Sequence, residues 1–212
     1  MLGTLRFILA GCVLISHLAF IALPLNLGVV SVICFYFLSG YLMRKSYARF
    51  TRLAQRPIRE FYADRLIKLM PQYAIVVCLT FACVDYFGHS SSFYLLNQDA
   101  NFSRVLLNLL LLPANYVFEP LSIAALLPHP IVPPAWSLAT EFHFYLLLPL
   151  IFLLRRRYWL LLLIATTGVQ FSSFFFASGD FNSNNFGYRF IFGILTVFLF
   201  GYAFAARSDL FY

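Results

Sequence analysis

Six long apolar runs punctuate this chain, at about residues 5–23, 28–46, 66–87, 136–154, 158–178 and 188–206. Each approaches or exceeds the roughly 20 residues that a helix needs to cross a bilayer. A seventh apolar stretch, residues 105–127, is broken by Pro113, Asn115, Glu119 and Pro120. Irregular backbone cannot face lipid, so this stretch reads as a re-entrant or interfacial element. The pattern predicts an all-α polytopic membrane bundle of about six transmembrane helices plus that segment, forming one domain over residues 1–212, with no internal repeat.

Composition agrees. The chain is 62% hydrophobic and only 11% charged, with mean hydropathy +0.83. A soluble domain carries about a quarter charged residues, so most of this surface meets lipid. The net charge of +7 does not indicate nucleic acid, because the cations are not spread over a soluble face. Eight of the 15 lie between Arg44 and Lys68, and three more form Arg155, Arg156 and Arg157.

The positive-inside rule then sets the topology. With the N-terminus in the cytoplasm, every large cationic cluster falls on the inner side, and only Arg104 and Arg189 fall near the outer face. The retained first run lacks a small-x-small cleavage site. Cys12, Cys34, Cys78 and Cys83 all sit in apolar segments without a CxxC pair, as buried packing residues do. No metal-spaced cluster and no glycine-rich phosphate loop is present. Residues 47–64 interleave Phe50, Leu53, Ile58 and Phe61 with Arg49, Arg52, Arg56 and Arg59, interrupted at Pro57. The expectation is a basic amphipathic segment lying on the inner surface, either as an anchor or as part of a site for an anionic ligand.

Several residues in the apolar runs carry chemistry. Arg6 and His17 are eleven residues apart, about 16 Å of helical rise and nearly a whole number of turns. They therefore share a face at different depths. Polar groups at such depths tend to face a protein interior or cavity. His17 fits a general base, since burial favours a neutral ring, or a packing histidine bonded to a neighbouring helix. Arg6 could contact a ligand, pair with an acid such as Glu141, or anchor the inner end. Glu141 is the only carboxylate well inside a span and must be paired, hydrogen-bonded or protonated. Arg65 and Lys68, at i and i+3, share the inner end of the third span, where they suit phosphates or simple anchoring. Ser39-Gly40 reads as small-residue packing rather than a nucleophile, Trp136 as an interfacial belt residue, and His143 lies on a different face from Glu141. His89, Asp99, Asn101, His129 and Asp180 fall in outer loops as solvated residues.

Four landmarks recur in order: Arg6-x10-His17; Phe35-Tyr36-Phe37-Leu38-Ser39-Gly40-Tyr41-Leu42; Phe61-Tyr62-Ala63-Asp64-Arg65-Leu66-Ile67-Lys68-Leu69-Met70-Pro71-Gln72-Tyr73; and Trp136-Ser137-Leu138-Ala139-Thr140-Glu141-Phe142-His143-Phe144-Tyr145, followed by Pro149. Together they resemble the acyltransferase-3 family of polytopic membrane acyltransferases over about residues 4–155, with a fainter match around Tyr188-Arg189-Phe190 and Phe200-Gly201.

The resemblance implies an enzyme that transfers an acyl group, commonly acetyl, from acyl-CoA (acetyl-CoA or another) to a hydroxyl of an envelope or exported glycan or lipid-linked glycan. It implies an essential histidine at His17 and an arginine role at Arg6, with Glu141 nearby. Arg65 and Lys68 would meet the CoA phosphates. No metal, and no nucleic-acid partner, is expected. The implied location is a bacterial cytoplasmic membrane.

Two departures stand out. Ile33 occupies a position that is often acidic, and the frequent Arg-x-x-Arg is Arg65-x-x-Lys68, which loses one planar fork for phosphate. Six helices where the family usually has about ten imply a short or truncated member, and leave assembly of two copies open. The rival reading is a non-catalytic polytopic protein, either a degenerate acyltransferase or a lipid or glycan carrier, in which Arg6, His17 and Glu141 line a path.

Overall fold

The computed structural model describes residues 2–18, 26–87, 106–107, 109–116, 132, 134–179 and 181–208. Among these, six α-helices account for the six apolar runs: α1 (Leu2–Leu18), α2 (Leu27–Leu53), α3 (Pro57–Phe87), α4 (Ala135–Leu153), α5 (Arg156–Phe175) and α6 (Ile191–Ser208). The spans Leu27–Leu53, Ala135–Leu153, Arg156–Phe175 and Asn185–Arg207 are long and apolar enough to cross a membrane, and Leu2–His17 is a shorter apolar helix. The 31 residues of α3 rise about 46 Å. The fold is an all-α membrane helix bundle.

The expected surface segment at residues 47–64 takes another form. Helix α2 continues without interruption to Leu53, the chain breaks over Ala54, Gln55 and Arg56, and α3 begins at Pro57. Proline suits the first helical position, where its missing N–H would be unpaired anyway. The Glu60 carboxylate reaches back to accept the Arg56 backbone N–H at 3.2 Å. Aromatic packing then draws the two helix ends into the bundle: Phe61 and Tyr47 are buried, and Tyr47 meets both Phe61 (5.2 Å) and Phe152 (5.0 Å) edge-on. Alternating cations did not make a separate element, because enough aromatic positions on each helix face inward.

The centre is the crossing of α2 and α6. A Cβ built on Gly40 would stand 2.0 Å from the Phe198 carbonyl oxygen, and one on Gly201 would stand 2.0 Å from that of Phe37. Two glycines thus let the backbones touch, the small-residue packing expected in lipid, where water drives nothing together. Tyr36, Phe198 and Phe144 stack through this core, with Phe144 and Phe198 centroids 4.4 Å apart. Helix α5 lies outside. Leu161, Ile164, Phe171, Phe174 and Phe175 are exposed, while the Thr196 hydroxyl donates to Thr166 at 3.0 Å to tie α5 to α6.

Of the predicted re-entrant stretch, the described part holds a short 3-10 turn, Leu112–Tyr116. Leu111 just before it has φ 61°, a backbone region that a branched-chain residue rarely adopts. Complete burial of its side chain holds it there. The outer-loop residues His89, Asp99, Asn101, His129 and Asp180, together with Arg104 and with Glu119 and Pro120 of the re-entrant stretch, lie outside the described residues.

Candidate functional site

The crossing of α2 and α6 turns Ser39 away from α6 and toward α1 and α4. There four polar side chains from three helices converge. One Arg6 guanidinium nitrogen donates to Ser39 Oγ at 3.0 Å and to Glu141 Oε1 at 3.0 Å. The Ser39 hydroxyl donates to the same carboxylate oxygen, and so does the Tyr145 hydroxyl, one turn further along α4. Ser39 is wholly buried. The Glu141 side chain is 14% exposed and that of Arg6 33%, so the cluster is covered on the α2 side and partly open at Arg6. A carboxylate at this depth is costly unless its lone pairs are occupied. Three donors, one of them charged, meet that demand.

The pairing of Arg6 with Glu141 is one of the alternatives open from sequence, and the geometry selects it. Ser39 and Tyr145 are members that sequence reasoning missed. Ser39 was read with Gly40 as packing, but the two divide the work: Gly40 gives the close approach and Ser39 the hydrogen bonds. The i, i+4 relation of Glu141 to Tyr145 is the signal that could have found the tyrosine.

His17 lies elsewhere. It sits near the end of the described α1, exposed among the described residues. Its neighbour Ser16 bonds back to the Val13 carbonyl at 2.7 Å and lies against Gly28 in the first turn of α2. About 16 Å of helical rise separate His17 from Arg6, and the two directions differ by only about 20° around the axis. Arg6 and His17 therefore look along the same side of α1, one at mid-depth and one at the end away from the cationic clusters. His143 turns its Nδ1 to the Ala139 carbonyl at 2.7 Å, consistent with the face assigned to it from sequence.

Arg65 and Lys68 gather at the basic end. Both pair with Asp64: Arg65 with one carboxylate oxygen, Lys68 with the other at 2.6 Å. Burial alone would raise the Asp64 pKa, but hydrogen bonds and charge from Lys68 and Arg65 outweigh it and hold the carboxyl below its ordinary range. Arg65 also reaches Met43 Sδ at 3.3 Å and Ser46 Oγ at 3.4 Å. Its guanidinium lies 6.0 Å from the centre of the Tyr145 ring, and the Tyr145 hydroxyl is on Glu141. Tyr145 thus bridges the basic end to the mid-depth cluster. Asp64 is a further missed member, and the i, i+4 spacing of Asp64 and Lys68 was its signal. Lys68 remains largely exposed.

A second polar knot frames the other end of α4. Asn115 is fully buried and donates to Thr140 Oγ1 at 2.6 Å and to the Arg189 carbonyl at 2.9 Å, while accepting from the Ile191 N–H at 3.3 Å. The Arg189 carbonyl also accepts from Thr140 at 2.7 Å. The π-helical turn Asn185–Arg189 is thereby pinned to the 3-10 turn and to α4. Trp136, expected as a belt residue, packs edge-on to Tyr188 with the Arg189 guanidinium 5.5 Å from its ring centre.

Among the described residues no group of three or more His, Cys, Asp or Glu side chains could hold a metal. No curated protein and no solved structure matches the chain. A family model described as an acyltransferase domain matches residues 2–211, nearly the whole chain, and it is the same acyltransferase-3 family whose landmarks supply Arg6, Ser39, Glu141 and Tyr145 to one cluster. The chain belongs to the acyltransferase-3 family of membrane acyltransferases.

Proposed function

We propose that this protein is an O-acyltransferase of a bacterial cytoplasmic membrane, with its N-terminus in the cytoplasm. It moves an acyl group, acetyl in the simplest case, from acyl-CoA to a hydroxyl of an envelope or exported glycan. One observation carries the reading: polar side chains follow one another from Arg65 at the basic end, through Tyr145, to the Glu141–Ser39–Arg6 cluster. His17 continues the same side of α1 beyond it. Such a line is expensive in lipid and has a use where a charged donor meets one end and an acceptor the other.

In this reading the roles divide along that line. Arg65 and Lys68 present donors for the CoA phosphates, with Asp64 holding both in place. Arg6 is committed to Glu141 and Ser39, and the rise of about 16 Å to His17 is too long for one reacting carbonyl to touch both. Arg6 and Glu141 therefore act as positioning residues that dock α1 and keep His17 turned along the same side of that helix. His17 takes the proton of the acceptor hydroxyl as its oxygen attacks the thioester carbonyl. The new C–O bond forms, the C–S bond breaks, and the proton on the imidazole passes to the departing thiolate. Donor and product thus balance as acyl-CoA plus alcohol to ester plus CoA.

The test is transfer of labelled acetyl from acetyl-CoA to glycan in membranes holding either the unaltered chain or His17→Ala at matched abundance. Label incorporated only by the unaltered chain supports the reading. Equal incorporation removes His17 as base. A chain that binds no acetyl-CoA in a parallel binding measurement belongs instead with the non-catalytic carriers.

A further inference from the structure

The face of α2 on the other side from Ser39 carries a feature the acyltransferase reading does not use. Phe37, Val197, Phe200, Ala203, Phe204 and Arg207 line a groove of about 520 Å³ between α2 and α6. The Phe204 ring sits 6.0 Å from Phe37 and 6.1 Å from Tyr41, which brings Tyr41 beside the basic end of the groove. One turn beyond Tyr41, the Lys45 ammonium stands 4.7 Å over the Tyr41 ring. One turn beyond Phe204 stands Arg207. Lys45, Ala48, Arg49, Arg52 and Leu53 then line an adjoining hollow of about 300 Å³. Lys45, Arg49 and Arg52 are spaced four and three residues apart, so they share one face of α2. All three, with Arg207, are exposed, and among the described residues no acidic side chain lines either hollow.

An aromatic-walled groove that runs along the bundle and ends under four cations complements an amphiphile with an apolar tail and an anionic head. Positive-inside anchoring explains cations at this end of the bundle. It does not require them to converge at the mouth of an apolar groove. Basic pockets at helix ends recognise anionic lipid headgroups, and arginine forks suit phosphate oxygens. We propose that the α2–α6 groove is a binding site for an anionic phospholipid. One acyl chain lies against Phe37, Phe200 and Phe204, and the phosphate is held by Lys45, Arg49, Arg52 and Arg207. Phe37 and Tyr41 point about 160–200° away from Ser39 around α2, so the site is separate from the Arg6–Glu141 cluster and independent of the proposed reaction.

The experiment is native mass spectrometry of the full chain in detergent, incubated with phosphatidylglycerol, phosphatidylcholine of the same chains, or chainless glycerol phosphate. Phosphatidylglycerol should stay bound under activation that strips phosphatidylcholine, and glycerol phosphate should neither bind nor compete. Replacing Lys45, Arg49 and Arg52 together with glutamine should weaken phosphatidylglycerol retention at least about ten-fold. The matched replacement of Arg155, Arg156 and Arg157 should leave it unchanged. Equal retention of the two lipids overturns the proposal, as does competition by glycerol phosphate. So does an equal loss in both triple variants, which would mark diffuse charge rather than a site. These exposed positions lie outside the core, and the second triple controls for the charge removed.

Discussion

Gly40→Ala adds one methyl group at a place where the packed backbones of α2 and α6 leave no room for it. The new Cβ would lie 2.0 Å from the Phe198 carbonyl oxygen, 2.9 Å from its carbon and 3.1 Å from its Cα. Ordinary contact begins near 3.4 Å, so α2 and α6 must part by about 1.4 Å at this point. The obstacle is backbone and has no rotamer to change. Overpacking costs about 1–3 kcal/mol, and a rigid obstacle places this site at about 3. Alanine returns about 1 kcal/mol of helix propensity, which leaves a net loss of about 2 kcal/mol. Ser39, the residue before Gly40, belongs to the cluster that positions α1 in the proposed reaction, and a misplacement of about 1 Å that starts far from the chemistry can cost about 100-fold in rate. Gly168→Ala is the control, since nothing lies within 4 Å of its Cβ position, and it should gain about 0.5–1 kcal/mol. Gly28→Ala is intermediate, because its neighbour at 2.3 Å is the Ser16 hydroxyl, a side-chain atom able to rotate away. Reversible unfolding in mixed micelles titrated with denaturing detergent gives the stabilities, and acetyl transfer gives the activity. If Gly40→Ala proves as stable as Gly168→Ala, the backbone contact does not exist as described and the account of the core fails.

Three further outcomes follow from the polar clusters. Glu141→Gln should cost about 2 kcal/mol in the same unfolding assay, below the 3–5 of a fully buried pair because Arg6 is a third exposed; adding Arg6→Leu should recover part of it, and a purely additive double variant would deny the pairing. Asn115→Ala removes the partner of Thr140, of the Arg189 carbonyl and of the Ile191 N–H, and should lower stability by about 2–3 kcal/mol; a loss under about 0.5 would show the knot to be incidental. Asp64 has a folded pKa below its ordinary value, so its contribution is complete above the usual carboxyl pKa of about 4 and is lost as pH falls through the lower folded value. Asp64→Asn should flatten the stability profile in that acid window, and an unchanged profile would place the ion pairs outside the folding balance.

The apolar pattern alone determined the class of this protein. Helices in lipid must satisfy their own backbone and turn apolar side chains outward, so runs of leucine, phenylalanine and valine declare their spans without any knowledge of neighbours. The candidate polar residues were legible for the same reason: Arg6, His17 and Glu141 are conspicuous against hydrocarbon. What the pattern could not give was which of them meet. Arg6 and Glu141 are 135 residues apart in sequence, and their pairing follows from how close α2 approaches α6 and which face of α2 that leaves for α1 and α4. Ser39 and Tyr145 were hidden because a serine beside a glycine and a tyrosine in an aromatic run are ordinary packing residues until a carboxylate is brought against them. The continuous extension of α2 to Leu53 was hidden by its cations, since only tertiary contacts reveal that Tyr47 and Phe61 pack into the bundle. Periodicity and hydropathy are local properties of one helix. The register between helices is set by the two glycine contacts and the aromatic stack they admit, and those exist only once the chain has folded.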